Sequence, residues 1–372
     1  MLHFRTAGYN GCGIQYSPFY DNRIAVGASA NYGLVGNGRL YDLSIEGNGQ
    51  VRSQMAWDTQ DSIFDVCWSE LHENHVAAAC GDGSIKLFDL TVPRFPVMNF
   101  KEHQKEAFSI SWNQVDKSNF ISSSWDGTVK VWDPNRKYSI RTMGSSVGLV
   151  NNTETLMRDS SKTRMIPLNM PSQSPNTSNC IYNAVYSPHS PAIVASCSGS
   201  SKVQVWDIRI PQSLQFEFTA HGGLEALSCD WNKYRPLIIA SSGTDKSIRV
   251  WDLRTVSKLD SQTSYIPFPA YKSRGPAPVN ELLGHEFAIR KVVWSPHEPA
   301  ELLSASYDMT CRVWIDRSQD QRIPDLFPGG CKNIMNMHKE FATSCDYSLW
   351  GQPGWAASTG WDEMVYIWNT RS

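Results

Sequence analysis

The chain has 372 residues, nine of them cysteine, and a formal net charge of −2. That length accommodates two domains or one large all-β unit, and the near-neutral charge excludes a basic field that would draw the chain to nucleic acid or anionic lipid. The cysteines are odd in number and scattered, several of them inside strand-like runs (Cys67, Cys80, Cys197, Cys229, Cys345), and none has C-x-x-C spacing. This argues against a disulfide framework or a zinc site and for a reducing compartment. The opening MLHFRTAGYN has no apolar leader core, and no run of about 18 apolar residues occurs, so a protein made in the cytosol without membrane insertion is expected.

In chain order, Leu2 to Thr6 alternates Leu2, Phe4 and Thr6 against His3 and Arg5 and reads as a strand. A three-strand pattern then recurs seven times. The first strand of each unit ends in an aromatic: Tyr16, Trp68, Trp112, Tyr186, Trp231, Trp294 and Tyr347. An apolar second strand follows, from Ile24-Ala25-Val26 through Phe120-Ile121 to Trp355-Ala356-Ala357. The third strand ends at Tyr41-Asp42, Phe88-Asp89, Trp132-Asp133, Trp206-Asp207, Trp251-Asp252, Trp314-Ile315 and Trp368-Asn369. One such meander cannot bury its own apolar face, so neighbours of the same kind are required, and a period near 40–45 residues ending in Trp-Asp signals a propeller.

Four units also carry His, Ser, Asp and Trp in matching places: His103/Ser122/Asp126/Trp132, His221/Ser241/Asp245/Trp251, His285/Ser304/Asp308/Trp314 and His338/Ser358/Asp362/Trp368. A Ser-His-Asp set invites a catalytic reading, but a nucleophile would not be repeated four times with a Trp behind it. With no paired catalytic carboxylates, nucleotide motif or metal cluster, no enzyme and no cofactor are expected. His72-Glu73-Asn74-His75 reads as an exposed turn rather than a metal pair. Gly8 to Gly13 is not followed by a helix, so it lacks the dipole of a phosphate loop.

Uneven spacing marks insertions. Residues 138–179 are rich in Ser, Asn, Thr, Met and Pro and read as a long, partly disordered surface loop. Residues 255–280, with Pro267, Pro269, Pro276 and Pro278, read as a stiff surface loop, and a shorter insertion spans 316–333.

These repeats resemble the WD-repeat family along nearly the whole chain. The resemblance implies an all-β fold, a seven-bladed WD-repeat β-propeller occupying 1–372 as one unit. In that family the His, Ser, Asp and Trp form a buried structural hydrogen-bond chain, and repeat and blade boundaries are offset. The last blade then lacks an outer strand, which Leu2–Thr6 is expected to supply, closing the ring.

Two stretches are more specific: Tyr16-Ser17-Pro18-Phe19 with Asn31-Tyr32-Gly33-Leu34-Val35-Gly36-Asn37-Gly38-Arg39-Leu40-Tyr41, and Asp61-Ser62-Ile63-Phe64-Asp65-Val66-Cys67-Trp68-Ser69-Glu70. They resemble the receptors for the type-2 peroxisomal targeting signal, the seventh peroxins, in the yeast-type version. The resemblance implies a cytosolic import receptor that binds an N-terminal signal of cargo enzymes as an amphipathic helix. That signal has a cationic residue near its start and an apolar stripe. A co-receptor peroxin, the peroxisomal docking machinery and cycling to the peroxisome matrix follow from the same resemblance. The alternative is a substrate receptor of a cullin ubiquitin ligase or a generic scaffold, suggested by the W-D-x-R runs Trp206 to Arg209 and Trp251 to Arg254.

A propeller receives ligands on the face bearing first-strand entries and second-to-third turns. Counting back from the first-strand aromatics gives Asp61, Glu106, Glu225, Phe287, Glu340 and Phe341. The residues before the turn aspartates are Trp125, Thr244, Tyr307 and Trp361. One rim is thus expected to combine carboxylates for the cation with aromatics for the apolar stripe of a bound helix.

Overall fold

The computed structural model describes residues 1–144, 179–260, 276–318 and 330–371. Apolar residues at alternate positions, broken by Asx- and Gly-containing turns, fold into seven four-stranded antiparallel sheets. Six are built from consecutive strands within 10–59, 63–101, 107–144, 181–219, 226–283 and 289–335. The seventh, over 342–369, takes Leu2–Arg5 as its outer strand, with Leu2 opposite Ile367 and Arg5 opposite Met364. The last blade is therefore closed by the start of the chain, as the repeat offset requires.

Between adjacent blades lie seven apolar clusters, one per interface. The wedge between the first two blades is typical, with Ala25, Leu40, Trp57, Ile63, Trp68, Val76 and Phe88 buried together. The first-strand aromatics and third-strand Trp residues fill these wedges and supply most of the largest buried side chains.

The innermost strand of each blade has one edge facing the ring axis, where no strand pairs with it. In six of the seven blades a side chain of the preceding blade fills this need. Asp346 Oδ2 accepts from Tyr16 N–H at 2.9 Å, Gln15 Oε1 from Trp68 N–H at 2.6 Å, and Asp65 Oδ2 from Ile110 N–H at 3.1 Å. Ser109 Oγ accepts from Ala184 N–H at 3.0 Å, Asn183 Oδ1 from Cys229 N–H at 3.2 Å, and Asp230 Oδ2 from Trp294 N–H at 2.8 Å. The blades are stitched around the axis by polar side chains on otherwise apolar strands.

The expected tetrads form in full in three blades. In the sixth, Trp314 Nε1–H donates to Ser304 Oγ at 2.8 Å, Ser304 meets His285 Nε2 at 2.7 Å, and His285 Nδ1 meets Asp308 at 2.7 Å. Burial lowers the pKa of His285 and favours the neutral ring, so the chain runs indole to hydroxyl to imidazole to carboxylate. Burial would raise Asp308, but the His285 bond and Thr310 outweigh it and hold the carboxyl well below the usual range. The third and fifth blades repeat the arrangement around Ser122 and Ser241. In the fourth, Trp206 reaches Ser196 without a His.

The seventh blade departs from expectation. His338 meets Asp362 at 3.1 Å and Ser358 at 3.0 Å, but the buried Trp368 Nε1 has no partner among the described residues. Here Tyr366 packs edge-on against His338 at 4.9 Å, and Trp368 packs with Met335 and Tyr347 instead.

Three insertion boundaries also change, that of the shortest insertion because Cys331–Met335 is the outer strand of the sixth blade. Arg141–Gly144 is the outer strand of the third blade rather than loop, because Met143 pairs opposite Val129 in the sheet. The second insertion starts as a helix, Leu253–Asp260, whose Leu253 and Val256 are buried against the fifth blade. Most of the expected surface loops, 145–178, 261–275 and 319–329, lies outside the described residues.

Deleting residues 1–7 exposes the edge of Met364–Asn369 and is expected to cause aggregation or lower Tm by more than about 5 °C. An unchanged Tm would show that closure is dispensable. Ser304→Ala strands both an indole and an imidazole and is expected to cost about 2–4 kcal/mol, whereas Ser358→Ala strands only the imidazole and costs about half as much. Urea unfolding of the two variants measures the difference.

Candidate functional site: an aromatic and acidic rim around the axis

Every first strand carries a β-bulge near its start, at Gly11/Gly13, Ile63/Asp65, Ala107/Ser109, Ile181/Asn183, Ala226/Ser228, Ile289/Lys291 and Ala342/Ser344. A bulge leaves one residue out of the pairing and re-aims its side chain. The seven residues so released are Cys12, Phe64, Phe108, Tyr182, Leu227, Arg290 and Thr343, one per blade. Five of them, Cys12, Phe64, Phe108, Arg290 and Thr343, line one mouth of the axial channel.

Around this mouth the aromatics form two clusters. Phe108 stacks on Trp125 at 5.1 Å between centroids and touches Phe64 at 5.0 Å and Tyr182 at 5.6 Å. On the opposite side Phe341 stacks on Tyr307 at 4.8 Å and meets Trp361 at 5.1 Å, which in turn contacts Tyr32 at 5.2 Å. The Arg290 guanidinium crosses to the first cluster and sits 4.4 Å over the Phe108 ring, a cation–π contact at the centre of the face.

The rim positions are tied together by backbone bonds. Trp125 N–H donates to Glu106 O at 3.1 Å, Thr244 N–H to Glu225 O at 3.0 Å and Trp361 N–H to Phe341 O at 2.9 Å. These pairs are the entry and turn residues expected from spacing. Tyr307 is paired with Ala288 O instead, so Phe287 lies one place further out, 55% exposed, under the Lys246 ammonium. Likewise Ser62 O, not Asp61, accepts from Gly81 N–H. The Asp61 carboxylate accepts locally from Ser62 N–H at 2.7 Å. Glu340 is exposed at the outer edge.

Of the sequence candidates, the structure gathers Glu106, Trp125, Glu225, Tyr307, Phe341 and Trp361 around the mouth. Asp61, Phe287 and Glu340 stand apart, and Thr244 contributes through its backbone and a weak hydroxyl contact to Glu225 O. Glu225 is held in place by the Tyr182 hydroxyl, which donates to it at 2.9 Å. Burial and then this carboxylate push the Tyr182 phenol far above its ordinary value. Burial raises the Cys180 thiol, the Lys105 ammonium opposes the rise, and Glu225 and Glu106 add to it, so all three charges lie within reach of one spot between the third and fifth blades. The Trp125 indole N–H is buried without a partner among the described residues.

Spacing reasoning missed Phe64, Phe108, Tyr182 and Arg290. A signal for them exists: each bulge residue stands four places before its first-strand aromatic, as Phe64 does before Trp68 and Arg290 before Trp294. Elsewhere, Arg209 and Arg254 of the W-D-x-R runs fold back onto Asp207 at 2.7 Å and Asp252 at 2.6 Å. His75 packs against His72 and faces Asp89 at 3.7 Å.

Below the mouth, Asp65, Lys291 and Asp346 line an axial cavity of about 130 Å³. Burial works against the Lys291 ammonium, but Asp65 and other negative groups more than offset it and raise its pKa. Burial raises the Asp346 carboxyl to about 7, opposed by the Tyr16 N–H and by Lys291.

Fold and site together define a WD-repeat propeller whose axial mouth sets carboxylates beside aromatic rings. Residues 94–133, 212–252 and 276–314 match the WD domain, G-beta repeat. Along its full length the chain is 50% identical to the peroxisomal targeting signal 2 receptor of Komagataella phaffii, covering 99% of that protein. It is 44% identical to the Saccharomyces cerevisiae receptor of the same name over 99% of both chains, and 32% to that of Mus musculus over 98% of this chain and 95% of the other. The chain belongs to the family of peroxisomal targeting signal 2 receptors.

Because Asp346 binds its proton more tightly folded than unfolded, its stabilising contribution is complete below the unfolded value near 3.8. It declines as pH rises and is lost once pH passes about 7. Asp346→Asn keeps an acceptor for Tyr16 N–H and removes the titration. The fall in Tm from pH 5.5 to pH 8 is therefore expected to be smaller in this variant than in the wild-type protein, as differential scanning fluorimetry would show.

Proposed function

We propose that the protein is an import receptor that binds the type-2 peroxisomal targeting signal of cargo proteins across the axial mouth. The observation that carries this reading is the coincidence of end-to-end similarity to receptors of that name with a rim holding carboxylates and aromatics side by side. Glu106 and Glu225 take the cationic residue near the start of the signal by charge-assisted hydrogen bonds. Trp125, Tyr307, Phe341 and Trp361 receive the apolar stripe of the helix. Asp61, Thr244, Phe287 and Glu340 frame the outer edge of the same face.

A free signal peptide loses much entropy on ordering, so its affinity for the bare propeller is modest and a second protein closing over the helix would slow its release. In the wider reading a co-receptor peroxin supplies that cover. The complex then engages the peroxisomal docking machinery, and the receptor cycles between the cytosol and the peroxisome matrix.

Charge reversal tests the site. Glu106→Lys and Glu225→Lys are each expected to weaken binding of a fluorescent signal peptide by at least about tenfold, the scale of one charge-assisted hydrogen bond. Deleting 145–178 leaves affinity near that of the wild-type protein. Wild-type affinity in both reversal variants, with Tm intact, would place the signal elsewhere.

A further inference from the structure

The loop between the second and third strands of the first blade, 30–37, carries no charged residue and holds two of the three most exposed large apolar side chains among those described, Leu34 at 83% and Val35 at 72%. It is not a slack turn. Asn31 and Tyr32 are consecutive left-handed residues, with φ of 47° and 60°, a conformation that non-glycine residues keep only when their surroundings impose it.

The surroundings do so. Asn10 Oδ1 accepts from Tyr32 N–H at 2.8 Å while Asn10 Nδ2 donates to Trp361 O at 2.6 Å, locking the loop to the seventh blade. Asn31 Nδ2 donates to Val35 O at 3.1 Å, and Ala30 N–H donates to Asn37 O at 2.9 Å across the base. Gly33, at φ +76°, lies so close to Phe64 that a β-carbon there would stand 3.1 Å from the ring. One foot of the loop thus rests on Trp361 through Tyr32 and the other on Phe64. These are the ends of the two aromatic clusters, so the loop joins them into one apolar arc running from Tyr307 round to Tyr182.

We infer that Leu34 and Val35 are signal-contacting residues, a rigid apolar ridge against which the apolar stripe of the bound helix packs on the side away from Glu106 and Glu225. The inference rests on the reading that the axial mouth binds the signal. The occupant follows from the chemistry: an uncharged, preorganised ridge continuous with the aromatic arc matches the apolar side of an amphipathic helix. The carboxylates across the mouth match its cationic side. Preorganisation explains the strain, since a ridge already in place loses little freedom when the helix docks.

The test measures a fluorescein-labelled signal peptide, cationic near its start and apolar along one helical face, by anisotropy against the full chain. Leu34→Ser/Val35→Ser is expected to raise Kd about tenfold or more, mainly through faster dissociation, with Tm unchanged because both side chains are already in solvent. Leu34→Met/Val35→Ile is expected to bind as the wild-type protein does. A double-serine variant that binds with wild-type Kd, while Glu106→Lys binds weakly, overturns the ridge and leaves the receptor reading standing. A wild-type protein that binds this peptide no better than one of the same composition with its stripe scrambled overturns the receptor reading, and the ridge with it.

Discussion

Seven sheets arranged round an axis each present an inner strand with no strand beside it, and buried N–H groups there must still be paired. Everything else in the structure is arranged about that constraint. The partners come from the neighbouring blade as side chains, Asp346 to Tyr16, Gln15 to Trp68, Asp65 to Ile110, so six of the seven blades depend in this way on the one before. The requirement also explains why carboxylates and amides sit on strands that otherwise read as apolar. It makes the ring cooperative: the blade that closes on Leu2–Arg5 holds Ser344 and Asp346, which pair the first inner strand at Ile14 and Tyr16.

The same inner strands carry the bulges, and the bulges make the site. Directly above the stitched segment one residue per blade leaves the ladder and turns toward the axis. In a generic repeat this column could hold any residue. Here it holds Phe64, Phe108 and Tyr182 on consecutive blades and Arg290 across from them. The fold therefore supplies a ring of positions at no cost to blade packing, and the identities in that ring decide what the mouth can hold.

The repeat and its entry positions were legible because the pattern recurs from blade to blade and the alternation is strong, and the closing strand followed from the repeat offset. Spacing alone picked Glu106, Trp125, Phe341 and Trp361, which the structure pairs by backbone bonds at the entries and turns. The bulge column was not legible as site. A bulge is a two-against-one count between strands, and a single strand shows it only as a break in alternation. Phe64 and Phe108 were therefore not among the candidates. The one-place offsets at Asp61 and Phe287 arise because each stands seven rather than six places before its first-strand aromatic, so Ser62 and Ala288 take the entry position instead. The seventh tetrad was misjudged for another reason. Its four letters are all present, but Tyr366 packs against His338 and the Trp368 indole does not reach Ser358, side-chain packing that no spacing encodes.

The mouth also shows how a chain of nearly balanced charge can present a polarised surface. Glu225 and Glu106 converge near Cys180 on one side, while Arg290 stands at the centre with its guanidinium spread over Phe108 rather than paired with either carboxylate in a salt bridge. The Arg290 guanidinium is largely buried, and the Phe108 ring face takes the place of part of its hydration. On the proposed reading, a cationic ligand residue meets like charge at the axis and carboxylates at the rim, so like-charge repulsion favours the rim beside Glu106 and Glu225, and the bulge that fixes Arg290 decides which way the ligand lies.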